Sequence, residues 1–165
     1  MSSRADDAVN ALVISVFQLN GVLLAAGDQI TAPFEISSAR WQVLGALAFN
    51  ENALTVPRVA AYMGLSRQAV IKQMKLLAAD GLVQSQMNAA HKRAELWSLT
   101  EAGRSKYEGI MGEQRVLAHQ WRKGLTLGEI NECARVLNIL EKSIKHATDV
   151  RGRDSTVTAT LAPKE

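Results

Sequence analysis

The chain has 165 residues, 47% of them hydrophobic, and 19 Lys and Arg against 16 Asp and Glu give a formal net charge of +3. That length suits one domain with a sizeable core, and that apolar content excludes a chain disordered throughout. So small a net charge nominates no partner, and the distribution of charge has to be read instead.

Cys133 is the only cysteine, which excludes an internal disulfide and suits a reducing compartment. The apolar stretch Ala8–Ala26 follows Asp6 and Asp7 rather than a basic run, and Asn10, Gln18 and Asn20 interrupt it. A spanning helix needs about 20 mostly apolar residues without such breaks. The expectation is an amphipathic helix in a cytoplasmic protein with no membrane partner.

In chain order, residues 6–27 place Val9, Leu12, Val13, Val16, Phe17, Leu23 and Leu24 at helical spacing and close at Gly27. That stripe is wider and longer than a lone surface helix needs. Residues 28–36, with Pro33, read as a loop. Ser37 or Ser38 caps a second helix bearing Trp41, Val43, Leu44 and Leu47 and ending near Asn50. A short third helix, Thr55–Met63, turns Val56, Val59 and Ala60 inward and tolerates Pro57 in its first turn.

Gly64 breaks that helix, and Ser66 starts another after a minimal turn, which makes a helix-turn-helix. Within LSRQAVIKQMKLLAADG, Val70, Met74 and Leu77 form one apolar stripe at i, i+4 and i+7, and Gly81 supplies the stop. The outward positions are Arg67, Gln68, Ile71, Lys72 and Lys75, with no carboxylate until Asp80. From Arg58 through Arg93 six Lys or Arg face a single acid, the footprint of a nucleic-acid-binding face.

After Gly81 the apolar period shortens to two. Val83, Ser85 and Met87 alternate with Gln84 and Gln86, and Trp97 and Leu99 alternate with Leu96 and Ser98. These strands flank a basic tip, Asn88–Ala94, and predict a hairpin wing. Thr100 caps a long helix with Tyr107, Ile110, Gln114, Leu117 and Trp121 on one stripe. Thr126 and Glu129 form a T-x-x-E capping box that opens a last helix with Ile130, Cys133, Leu137, Leu140 and Ile144. That seam predicts packing on another helix and a buried, inert Cys133. Residues 149–165 lack a period and read as a flexible tail. The fold class expected is mainly α with a small β-hairpin wing, divided as helix and loop 1–36, DNA-binding lobe 37–100, dimerisation helices 101–148, and tail.

Over residues 8–146 the chain resembles the MarR family of bacterial winged-helix transcription regulators. The resemblance lies in SSARWQVLGAL, TVPRVAAYMGLSRQAVIKQMKLLAADGLV and HKRAELWSLTEAGR. Leu65-Ser66-Arg67 with Val70, Leu77 with Gly81-Leu82-Val83, and Leu99-Thr100 with Gly103 stand where the family's motifs do. Two positions depart from the family pattern. His91 replaces the wing acid that braces an arginine, here Arg93, and the first helix lacks the cysteine of the redox-sensing branch.

The resemblance implies a homodimer on a palindromic operator, a repressor relieved by a small ligand that is an aromatic acid in many members. On chemistry, Gln68 and Lys72 are the leading base readers, Ile71 a thymine-methyl contact, and Ser66, Arg67 and Lys75 phosphate contacts. Lys92 and Arg93 suit the minor groove. Phe17, Phe34, Arg40 and Trp41 are ligand-binding candidates, the arginine as partner to a carboxylate. The alternative is a winged helix serving protein–protein assembly without an operator, which the basic reading face disfavours. No nucleophile, phosphate-loop or metal-ligand spacing appears, so neither an enzyme, a cofactor nor a metal is expected.

Overall fold

The computed structural model describes residues 3–90 and 94–160, with side chains to residue 148. The chain forms two compact units, Met1–Leu117 and Ala118–Glu165. Helix α1 spans Arg4–Thr31, opened by a capping box in which Ser3 and Asp6 exchange side-chain-to-backbone bonds. It runs past Gly27, and a 3-10 turn at Ala32–Phe34 follows, so most of the expected 28–36 loop is helical. Pro33 suits this turn because it lies in the first turn of a helical segment, where a missing N–H costs nothing.

Helix α2 (Ser38–Ala48) is capped by the Ser37 hydroxyl accepting from the Arg40 N–H. Helix α3 (Val56–Met63) begins after Thr55, whose backbone has cap geometry although its side chain makes no cap bond. Gly64, at φ 63°, closes it, and Gly81, at φ 68°, follows helix α4 (Arg67–Ala79). Both left-handed positions favour glycine.

The core belongs to the first unit. Val43, Leu44, Val59, Val70, Met74, Leu77 and Ile110 are buried almost completely, so α2, α3, α4 and α5 (Glu101–Trp121) each contribute an apolar face. Burying a side chain of this size contributes about 1.5–3 kcal/mol.

Strands β1 (Val83–Gln86) and β2 (Leu96–Leu99) pair antiparallel with Val83 opposite Leu99 and Gln86 opposite Leu96. Only Val83 is buried on β1; the alternation read from the sequence ends there because the hairpin projects away from the core. Leu54 adds a bridge to Trp97, with backbone bonds of 2.9 and 2.8 Å.

In the second unit, helix α6 (Leu127–Thr160) opens with the expected box. Thr126 N–H donates to Glu129 Oε2 at 2.8 Å, and Glu129 N–H donates to the Thr126 hydroxyl at 3.2 Å. The helix continues beyond the end expected near residue 148; Gly152 alone does not stop a helix, and the next proline after Pro57 is Pro163. Cys133 is exposed rather than buried, as are Ile130 and Ile144 of the same seam.

Candidate nucleic-acid interface

The helix-turn-helix places α4 so that its two faces have opposite chemistry. Val70, Met74 and Leu77 are buried, whereas Ser66, Arg67, Gln68, Ile71, Lys72 and Lys75 are all exposed. The Ser66 hydroxyl accepts from Ala69 N–H at 3.1 Å, fixing the first turn and the direction of Arg67 and Gln68. Ile71 is 40% exposed and Leu76 45%, apolar atoms among long donors. The combination suits a base-bearing groove better than simple attraction to phosphate. Lys92 and Arg93, with His91, lie outside the described residues.

The wing is tied to α4 and α5 through Thr100. Its hydroxyl donates to the Gly81 carbonyl at 2.7 Å and accepts from Gly103 N–H at 3.0 Å, while its backbone N–H reaches the Leu82 carbonyl at 3.1 Å. One side chain therefore caps α5 and holds it to the glycine that follows α4. Beyond β1, toward the tip of the wing, Asn88 Oδ1 accepts from Ala90 N–H, a local turn bond.

The four ligand candidates do not come together. Trp41 lines a cavity of about 430 Å³ with Phe49, Tyr62, Met63, Tyr107 and Met111, set between α2, α3 and α5. Phe34 packs against the core, and Phe17 is 72% exposed on α1. Arg40 turns elsewhere: Nη1 lies 2.6 Å from Asp80 Oδ2 and Nη2 donates to the Glu35 carbonyl at 3.1 Å. Sequence reading missed Tyr62, Tyr107 and Met111, because nothing local marks three residues on two helices as neighbours. Burial raises the Tyr107 phenol above its ordinary value, helped by the nearby Tyr62, so its hydroxyl stays protonated. The cavity can stack a planar ring and offer it phenolic hydrogen bonds.

Helix α1 leaves Val9, Ile14, Phe17, Leu19, Val22, Leu23 and Leu24 exposed, and α6 leaves Ile130, Ile139 and Ile144 exposed. By length and composition the segment Arg4–Phe34, whose most apolar 18-residue window has a mean hydropathy of 1.8, would suffice to cross a membrane. Among the described residues no group of three or more His, Cys, Asp or Glu could hold a metal ion.

Residues 34–94 match the MarR family profile. An uncharacterized protein of Mycobacterium tuberculosis is 36% identical over 104 residues, 63% of this chain and 71% of that one. The transcriptional activatory protein BadR of Rhodopseudomonas palustris is 26% identical over 140 residues, 82% of this chain and 78% of its own. Two crystal structures share the fold. A mutant E. coli MarR complexed with operator DNA superposes with TM-score 0.70 at 19% identity, over 84% of this chain and 99% of that one. CouR from Rhodococcus jostii RHA1, bound to p-coumaroyl-CoA, gives 0.71 at 19%, over 85% and 95%. With the helix-turn-helix, the Thr100-anchored wing and these matches together, the chain belongs to the MarR family of winged-helix transcription regulators, which are not enzymes.

Proposed function

We infer that the protein is a cytoplasmic homodimeric repressor that binds a palindromic operator and is released by a small ligand. The observation that carries the DNA-binding part is the α4 face: six exposed positions, three of them cationic, opposite three buried apolar ones. Two such helices about 34–36 Å apart would meet successive major grooves of a palindrome. The exposed apolar side chains of α1 and α6 support the dimer, since a stripe of that extent left in water favours association. The same association accounts for the hydropathy of α1 without a membrane. The cavity beside Trp41 supports the ligand, because it lies between helices that brace α4.

The reading is tested by selecting bound duplexes from random DNA and titrating salt on the selected site. Affinity should fall steeply, each neutralised phosphate adding about 0.9 to the slope of log affinity against log salt. A flat response overturns DNA binding and leaves the protein-assembly alternative. Repression is tested with a reporter behind the selected site, whose output should fall when the protein is supplied. Salicylate and p-coumaroyl-CoA serve as first ligand probes, read by tryptophan fluorescence and loss of the shifted duplex.

A further inference from the structure

Where α1 gives way to α2, polar contacts gather that neither the core nor the reading face requires. Asp28 Oδ1 accepts from Ser38 N–H at 2.8 Å, and Lys106 Nζ donates to the Phe34 carbonyl at 2.9 Å. Glu35 is left-handed, at φ 58°, the only non-glycine with positive φ among the described residues. A residue other than glycine holds that conformation at a cost, so its surroundings must favour it. The Glu35 carbonyl receives Arg40 Nη2 at 3.1 Å, while Nη1 of the same guanidinium lies 2.6 Å from Asp80. Asp80 is the C-cap of α4. There the helix dipole presents its negative end, and a carboxylate is unfavourable without a counter-cation.

We propose that Arg40 is a positioning residue for DNA recognition, setting the angle of α4 by joining its last turn to the loop that ends α1. The planar fork of arginine can serve a carbonyl and a carboxylate at once, which a lysine ammonium cannot do in the same fixed geometry. The assignment rests on the DNA-binding reading above and takes Arg40 out of ligand binding. The side chains of Arg40 and Asp80 are 21% and 47% exposed, and such a pair contributes little to stability by itself. Its effect is therefore on direction, and it counts twice in a dimer on one operator.

The test uses the full-length dimer and the duplex that the wild-type protein selects. Arg40→Gln and Asp80→Asn should each weaken binding by about tenfold while lowering Tm by no more than about 3 °C. Arg40→Lys should recover only part of the loss, and the exchange Arg40→Asp with Asp80→Arg should restore affinity to within about threefold of wild type. The salt slope should not change in Arg40→Gln. If Arg40→Gln and Asp80→Asn bind as wild type does, the proposal is wrong. It is equally wrong if Arg40→Gln lowers the salt slope by about one phosphate and the exchange rescues nothing, which would make Arg40 a backbone contact. Should the exchange variant fail to fold by circular dichroism, Asp80→Asn decides alone. If the wild-type protein selects no duplex, the DNA-binding reading falls first and this inference with it.

Discussion

At Gly103 a Cβ would sit 1.9 Å from the Leu82 carbonyl oxygen, a separation no side chain can occupy, and backbone cannot yield cheaply. Gly103→Ala should therefore destabilise the protein by about 2–4 kcal/mol, read as a lowered urea midpoint with unchanged m. Leu99-Thr100-x-x-Gly103 therefore acts as a unit: the glycine allows the approach, and Thr100 bonds across it. On α4, Lys72→Ala should weaken binding and reduce the salt slope if Lys72 meets phosphate. If it reads a base instead, specificity should relax at one position of the selected site and the slope should hold. Sequence alone nominated Lys72 and Gln68 because donor chemistry is local. It offered Arg40 as a ligand partner and did not foresee the contact with Asp80, because Asp80 lies 40 residues away and no periodicity links them.

Among the elements, α4 and α6 were legible for the same reason: helix caps and 3.6-residue stripes are encoded within one turn or a few. Ser66, Gly81, Thr126 and Glu129 all act where their spacing places them. The Glu129 box has a pH consequence. Hydrogen bonds from the Thr126 backbone, then its side chain, hold the Glu129 carboxyl below its ordinary 4.5. A carboxyl depressed in the folded state contributes stability above its unfolded value and loses it as pH falls through the folded one. NMR titration should place Glu129 below 4.5, and Thr126→Ala should return it toward that value. A wild-type Glu129 that titrates at or above 4.5 would show that the box is not closed in solution. The strands were less legible, since β1 buries only Val83 and β2 is half-buried throughout. Nothing near Leu54 announces its bridge to Trp97.

For the whole molecule, the deciding fact is how much of α1 is left uncovered. Phe17 is 72% exposed and Val22 66%; a partner is needed to remove them from water, at about 25 cal/mol per Å² of apolar area covered. Light scattering at micromolar concentration should report a dimer. Phe17→Asp combined with Leu24→Asp should shift it to monomer and lower DNA affinity by at least about a hundredfold, since two half-sites then bind independently. A variant that remains dimeric would place the interface elsewhere.

The sequence by itself determined the helix-turn-helix, its caps, the buried Val70-Met74-Leu77 stripe, the wing hairpin and the family resemblance. Each depends on residues within a turn or a strand of one another. Only the tertiary structure decided which helices share the Trp41 cavity, that Thr100 bonds to Gly81 across the base of the wing, and that Arg40 pairs with Asp80. Those contacts join residues separated by tens of positions, and the burial and hydrogen bonding that select them exist only once the chain has closed on itself.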